Sequence, residues 1–320
     1  MPAAAYERLR LSMAVDLISL SPMQSLGIPI ALVGSVFLAL GTEFQHRGVN
    51  KVDAATTTSA RTGLNVQQLF ALARRPSWVI GTLMLGLAVV CQLTSLFLAP
   101  LTVVQPLGAL ALVITAIVNA RTHKQKLSKS TIRAIAFCVG GIGLFVTVAA
   151  LTTSSVPIGT TQLVIVLIIL AVVVSLLIVA FVLFRKRVNT VFYIFGAGIL
   201  FGFVATLAKL VIDRVHTIIN NGFHLVAGDG LTIVCLVGVI VAALFGSYFV
   251  QTAYSSGPPD LVVAGLTVID PMVGVTIGII VLGEAASAPW WAGIVFVIAG
   301  GLAVYGVIQL ARRSPIAAPV

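Results

Sequence analysis

Nine long apolar segments are the feature that most constrains the fold of this chain. Each holds about 20 residues, the length that a helix needs to cross the hydrocarbon core of a bilayer. The segments lack the alternation of apolar and polar residues that is typical of outer-membrane strands. The sequence therefore predicts an all-α membrane protein, a polytopic bundle of nine transmembrane helices. The segments lie near residues 24–43, 77–98, 101–120, 131–151, 161–184, 190–212, 230–253, 260–282 and 289–310.

The composition excludes several classes of protein. Hydrophobic residues make up 59% of the 320 residues and charged residues 9%, whereas soluble domains carry about 25% charged residues. This excludes a soluble enzyme, a disulfide-rich secreted domain and a disordered chain. The sequence contains no Walker loop, no HExxH and no Ser-His-Asp arrangement, so we expect neither catalysis nor a cofactor.

The positions of the basic residues predict the orientation of the chain. The net charge of +10 arises from 19 Lys and Arg against 9 Asp and Glu. Of the basic residues outside the apolar segments, 14 fall on one side of a nine-span protein and 3 on the other. Because cytoplasmic loops are enriched in Lys and Arg, we expect the N-terminus outside and the C-terminus inside the cell membrane. The predicted domains are an extracytoplasmic tail (1–23), a permease domain (24–310) with a cytoplasmic loop (46–76), and a cytoplasmic tail (311–320).

A weak internal repeat relates the two halves of the chain. A shift of 159 residues aligns the second to fourth apolar segments with the seventh to ninth, and it superposes Pro100 on Pro259. The repeats would cover about 24–151 and 161–310, with four and five spans. Because five is an odd number, the copies should be inverted across the membrane. Inverted repeats are typical of secondary transporters, whose site lies near the midplane between the halves.

Several motifs resemble a known family. The stretch 98–110 (LAPLTVVQPLGAL) is similar to the Ala-Pro … Pro-Leu-Gly-Ala-Leu signature of NIPA-like magnesium transporters, within the drug/metabolite transporter superfamily. Residues 124–127 (KQKL) resemble the Lys-Glu-Lys-Leu of that family, with Gln125 in place of the acid. Residues 282–284 (LGE) resemble the end of the matching helix in EamA-type members, and 41–47 (GTEFQHR) resembles related bacterial permeases. The second half lacks the Pro-Leu-Gly-Ala-Leu run. The resemblance implies a transporter of a small solute, with magnesium among the substrates.

Asp270 is the strongest candidate for a functional residue. It lies midway along the eighth apolar segment, where an ionisable side chain is costly and usually lines a pathway. The next residue, Pro271, should kink the helix and free a backbone carbonyl one turn earlier. A carboxylate beside such a carbonyl could bind a proton or a metal cation. The alternative is a buried aspartate with a purely structural partner.

Three further charged residues allow a functional and a structural interpretation. Lys209 could be the counter-charge of Asp270 or bind an anionic substrate group, or its stem could extend to the interface. Asp213 should pair with it across one helical turn. Glu43 could gate the inner mouth or form an interfacial salt bridge. We expect Glu284, in an outer loop, to shape that hairpin rather than to bind substrate.

Polar amides and small residues complete the predicted pathway. An amide inside a span either lines a cavity or ties helices together, and Gln92 and Gln251 occupy equivalent repeat positions. Two pairs of glycines at a spacing of four should be close helix contacts. The amides predicted to line the route are Gln92, Gln105 and Gln251; the predicted kinks are at Pro106 and Pro271; and the glycine pairs are Gly198/Gly202 and Gly274/Gly278.

The sequence leaves three functions open. The first is alternating-access transport of a small solute such as magnesium or another divalent cation. The second is proton-coupled export of a small organic metabolite or drug, and the third is a membrane scaffold without transport. The expected partners are the lipid bilayer and the solute, with no nucleic acid, and a homodimer stays open.

Overall fold

The computed structural model describes residues 22–53, 74–122, 128–184, 189–220 and 230–312. These residues form ten helices. The helices are α1 (Pro22–Asp53), α2 (Pro76–Leu98), α3 (Leu101–Gly108), α4 (Leu110–Thr122), α5 (Lys129–Thr152), α6 (Thr160–Phe184), α7 (Thr190–Asn220), α8 (Gly230–Ser256), α9 (Pro259–Ile280) and α10 (Trp290–Ala311).

Nine spans of this described part are long and apolar enough to cross a membrane. Eight of them are single helices. The remaining one, Leu101–Thr122, is the third span in chain order and consists of α3 and α4 in succession. The predicted all-α bundle of nine transmembrane helices is thus confirmed. Proline begins α2 and α9, where its missing N–H costs nothing because the first amides of a helix have no intrahelical acceptor.

Two helices are longer than predicted. The sequence predicted spans at 24–43 and 190–212, but α1 continues to Asp53 and α7 to Asn220. The prediction ended each span where the apolar residues end, yet polar residues such as Gln45, Arg47 and Arg214 also favour helix. The start of the predicted loop 46–76 is therefore helical. The tail up to residue 21, residues 54–73 of that loop and the tail beyond residue 312 lie outside the described residues.

Successive spans run in alternating directions, so their connections collect at two ends of the bundle. We call the end with the connections 99–100, 153–159 and 281–289 the Glu284 end, and the opposite one the Lys129 end. Side-chain hydrogen bonds join neighbouring segments at each end. At the Glu284 end Gln24 donates to the Thr153 carbonyl over 3.1 Å. At the Lys129 end Thr190 donates to the Ser256 carbonyl over 2.7 Å.

The helix pairings of the two halves correspond. In the first half α1 packs on α2 and on the α3–α4 span, which also contacts α5. In the second half α7 packs on α8 and on α9, which also contacts α10. The corresponding helices run in opposite directions, and the halves meet where α5 packs on α10 and α3 on α9. This is the pattern expected of an inverted repeat.

Candidate functional site

Helix α3 lies at the centre of the bundle. It contacts α1, α2, α5, α7 and α9, and six of its eight residues are buried. Three of its first four residues are apolar, as would be expected of a helix that is surrounded on all sides. Polar groups that α3 carries are therefore held between the two halves of the protein.

The span that contains α3 is interrupted near its middle. Pro106 lacks the amide hydrogen that would bond to the Thr102 carbonyl, and α3 ends two residues later at Gly108. The buried hydroxyl of Ser35 lies 2.9 Å from the Leu107 carbonyl and can donate to it. The predicted kink at Pro106 is followed by a one-residue interruption at Ala109, whose backbone angles (φ −66°, ψ −19°) stay in the helical region.

Asp270 lies midway along α9, on the side where α9 meets α3 and α7. The buried carboxylate oxygen Oδ1 has no hydrogen-bond partner among the described residues. The backbone of α7 comes close, since a Cβ atom built at Gly202 would lie 3.0 Å from the Asp270 carbonyl oxygen. The predicted kink at Pro271 does not interrupt the helix, because α9 is continuous from Pro259 to Ile280. The proline nevertheless leaves the Thr267 carbonyl without its helical donor.

Gln105 faces α9 one turn away from Asp270. Its side chain is 5% exposed, and its amide nitrogen Nε2 has no hydrogen-bond partner among the described residues. It packs on Gly274, where a Cβ atom would lie 2.8 Å from Cγ of Gln105. Residues 270 and 274 are neighbours on one helix face. Two polar groups with unused hydrogen-bonding capacity are thus brought to the same seam between α3 and α9.

The predicted glycine contacts are confirmed. Cβ atoms built at Gly198 and Gly202 would lie 2.7 Å from Ile269 and Val273, respectively. Gly278 continues the face of Gly274 towards the Glu284 end, where a Cβ atom would lie 2.8 Å from Oε2 of Glu284. These glycines let α3 and α7 approach α9 closely on both sides of Asp270.

Glu284 does more than shape its own hairpin, which corrects the sequence-based expectation. Its side chain is 2% exposed and binds the first amides of α3. Leu101 N donates to Oε1 over 2.7 Å, Thr102 N to Oε2 over 2.8 Å, and the Thr102 hydroxyl to Oε2 over 2.6 Å. A carboxylate suits this position because the N-terminus of a helix carries unpaired N–H groups and a partial positive charge.

Glu284 also connects to its surroundings through its backbone and its charge. Its carbonyl accepts a hydrogen bond from Ser154 N over 3.0 Å, and Gly283 before it adopts a left-handed φ of 72°. Burial raises the pKa of Glu284 above its usual value, while the hydrogen bonds from Thr102 and Leu101 and the charge of Lys209 oppose that rise. We call Glu284 with Leu101 and Thr102 the clasp, since it links the second half to the first.

Lys209 is buried in α7 and is bonded to groups other than Asp270. Its ammonium donates to the Leu96 carbonyl of α2 over 2.6 Å and pairs with Asp213 over 3.2 Å. The predicted pairing with Asp213 is confirmed. The hypothesis that Lys209 is the counter-charge of Asp270 is not supported by these contacts, and a side chain 2% exposed does not extend to the interface. The reason is geometric: its bonding partners lie near the Glu284 end, whereas Asp270 is at mid-helix.

The remaining predicted residues lie away from this seam. Gln92 is half-buried in α2, where α2 packs on Gly34 of α1. Gln251 is exposed on α8, and Glu43 is half-buried in α1 towards the Lys129 end. The structure thus places Gln105 one helical turn from Asp270, at the seam between α3 and α9, and leaves Glu43, Gln92 and Gln251 elsewhere. Their predicted roles in the pathway stay predictions.

Sequence comparison decides the family. A profile of the family described as magnesium transporter NIPA matches residues 23–255, which is more than half of the chain. The chain belongs to the magnesium transporter NIPA family. The NIPA match confirms the resemblance seen in the sequence motifs, and it identifies the protein as a multi-pass membrane transporter. The matched region extends from α1 to α8 and ends before Asp270 and Glu284.

One relative of this NIPA family member covers almost the whole chain. A protein of Corynebacterium glutamicum is 27% identical over 297 residues, which is 91% of this chain and 97% of the relative. That relative is described as an uncharacterized protein, so it adds nothing about substrate. No solved structure matches this chain.

Proposed function

We propose that this protein transports magnesium, or another divalent cation, by alternating access between its two halves, with Asp270 as the carboxylate that binds the ion inside the membrane. The observation that carries the proposal is the buried, unpartnered Oδ1 of Asp270 midway along α9. A carboxylate without a partner at such a depth is costly. Binding of a cation removes that cost.

The composition of the site supports a cation that keeps part of its water shell. The described residues contain no group of three or more His, Cys, Asp or Glu side chains that could hold a metal. Mg²⁺ is commonly bound through one or two carboxylates while it retains several waters. A single carboxylate with neutral oxygen ligands therefore suits Mg²⁺ in transit better than a cation that must be fully dehydrated.

The bonds at the Glu284 end support alternating access. The clasp and the Lys209–Leu96 bond both join residues of the second half to residues of the first. They hold the halves together at that end. Because the basic loops lie at the Lys129 end, we place that end in the cytoplasm and the Glu284 end outside. In this arrangement the site is closed on the extracytoplasmic side, and transport requires the clasp to open.

Flux into proteoliposomes tests this function. Purified protein is reconstituted with a Mg²⁺-sensitive dye inside the vesicles, and Mg²⁺ uptake is measured with and without a pH gradient. We expect uptake by the wild type and its loss in Asp270→Asn. The matched control is Asp260→Asn, which changes a carboxylate in the first turn of the same helix and should retain uptake.

Each other outcome assigns a different function. Uptake by Asp270→Asn at the wild-type rate would remove Asp270 from the pathway. Absence of divalent flux, together with efflux of an organic solute driven by the pH gradient, would favour the exporter. A scaffold would carry no flux of either kind, and its stability would tolerate the change at residue 270.

A further inference from the structure

Gln105 has no evident structural reason to be an amide. It is buried in a helix whose other inward residues are mostly apolar, and its side chain makes no hydrogen bond with the described residues. A buried amide that lacks partners destabilises the fold relative to an apolar side chain of the same shape. A ligand that supplies the missing partner would explain its presence.

The packing of Gln105 places its amide on the surface of α9, one turn from Asp270. Cβ atoms built at Gly274 would lie 2.8 Å from Cγ, 3.0 Å from Cδ and 3.3 Å from Nε2 of Gln105. The end of the side chain therefore lies on the surface of α9 beside the turn that carries Asp270. Rotation by 180° about the terminal bond exchanges the amide oxygen and nitrogen, so either atom can face this turn.

We propose that Gln105 is the specificity-determining residue of the Asp270 site, where its amide oxygen and the Asp270 carboxylate together bind the divalent cation. The inference rests on the proposed function and deepens it. Carboxylate and amide oxygens are hard ligands of the kind that Mg²⁺ and Ca²⁺ prefer. The pair contributes a single negative charge from two helices of opposite halves, α3 and α9, so the ion is bound at the interface that alternating access must rearrange.

Because the amide of Gln105 is uncharged, the site carries a single negative charge, and this favours Mg²⁺ over Ca²⁺. Ca²⁺ accepts six to eight oxygen ligands, often with several carboxylates among them. Mg²⁺ keeps several of its waters and is bound by one or two carboxylates. A second carboxylate at position 105 would strengthen the attraction for any divalent cation, and Ca²⁺ would gain most because it loses its waters more readily than Mg²⁺. It would also slow the release of the ion. Gln105 thus keeps binding weak enough for turnover.

Two variants of Gln105 and a control test this inference. Mg²⁺ and Ca²⁺ binding to purified protein is measured by calorimetry, and uptake of both ions is measured in proteoliposomes. In Gln105→Leu we expect the dissociation constant for Mg²⁺ to rise about tenfold or more, as the loss of a ligand to a charged group implies. In Gln105→Glu we expect tighter binding, slower maximal uptake and a shift of preference towards Ca²⁺. Gln309→Leu, in the last turns of α10, should behave as wild type.

The outcomes separate this inference from the proposed function. If Asp270→Asn abolishes Mg²⁺ binding while both Gln105 variants bind and select as the wild type does, Gln105 is not a ligand and the function of Asp270 stands. If Asp270→Asn also binds and transports normally, the proposed function itself fails. Gln105→Glu preserves the size of the side chain, so it reports on selectivity even if Gln105→Leu folds poorly.

Discussion

Glu284 contributes to the fold through three hydrogen bonds that cross from one half to the other. Its carboxylate accepts from two amides and one hydroxyl at the start of α3 and is almost fully buried. Hydrogen bonds to charged groups contribute about 1.5–3 kcal/mol each. The first turn of the most central helix therefore depends on one side chain that lies far away in the sequence.

Replacement of Glu284 should destabilise the protein. Glu284→Gln keeps one acceptor oxygen but points an NH₂ group at donors of α3, so we expect the free energy of unfolding to fall by about 2 kcal/mol. Thr102→Val removes only the hydroxyl bond and should have a smaller effect. Thermal unfolding in detergent, followed by tryptophan fluorescence, measures both. Equal midpoints for Glu284→Gln and the wild type would contradict the role of the clasp.

Residues in the predicted site differ in how far the sequence could place them. Asp270 was found because a charge in an apolar segment stands out in one dimension. Gln105 was found as a polar residue in a span, but its approach to Gly274 depends on how α3 packs on α9. The role of Glu284 could not be derived, since its partners lie about 180 residues away and no local pattern indicates that contact. The same holds for the bond from Lys209 to Leu96.

At the scale of the elements, α5 and α10 meet through glycine. A Cβ atom at Gly141 would lie 2.5 Å from Ala303 N and 2.8 Å from the Ala299 carbonyl oxygen, whereas one at Gly140 meets nothing within 4 Å. Side chains cannot move out of the way of backbone atoms without displacing a helix. The two neighbouring glycines thus differ in packing although their sequence context is nearly the same.

This difference predicts opposite effects of alanine at the two positions. Gly141→Ala should force the helices apart and lower stability by about 1–3 kcal/mol. Gly140→Ala should be neutral or raise stability by about 0.5–1 kcal/mol, because alanine favours helix. Unfolding in detergent compares the pair directly. Similar losses of stability in both variants would contradict the close contact of α5 with α10 at Gly141.

The interruption between α3 and α4 leads to a second prediction at this scale. Pro106→Ala restores the donor to the Thr102 carbonyl and removes a clash that costs a helix about 3 kcal/mol. We expect higher thermal stability and slower Mg²⁺ uptake, since the span would become continuous. The control is Pro29→Ala, because Pro29 lies inside the unbroken helix α1 and its loss should not slow uptake. Unchanged uptake in Pro106→Ala would contradict a role for the interruption.

The number and order of the spans followed from the sequence, because apolar length alone decides them. Helix ends did not, since α1 and α7 extend beyond their apolar parts. Pro106 and Pro271 look alike in sequence, yet only the first ends a helix. The last residue of α3, two positions after Pro106, is Gly108, which weakens the helix next to the proline, whereas Pro271 is followed by Met272 and Val273.

At the scale of the whole molecule, the orientation can be tested by chemical labelling. Residues Ser287 and Lys129 are exposed at opposite ends of the bundle. In a Cys91→Ser background, where the remaining Cys138 and Cys235 are buried, a membrane-impermeant maleimide should label Ser287→Cys in intact cells. Lys129→Cys should react only after permeabilisation. The reverse pattern would place the N-terminus in the cytoplasm.

The position of Glu284 near the end of the sequence has a consequence for biosynthesis, because its carboxylate binds the first amides of α3. Translation delivers the first half long before residue 284, so newly inserted α3 enters the lipid with its leading amides unsatisfied. Their hydrogen bonds to Glu284 form only after nearly the entire polypeptide has left the ribosome. Premature termination before residue 284 therefore yields a product that lacks the acceptor of these amides, so the centre of the protein depends on synthesis of almost the whole sequence.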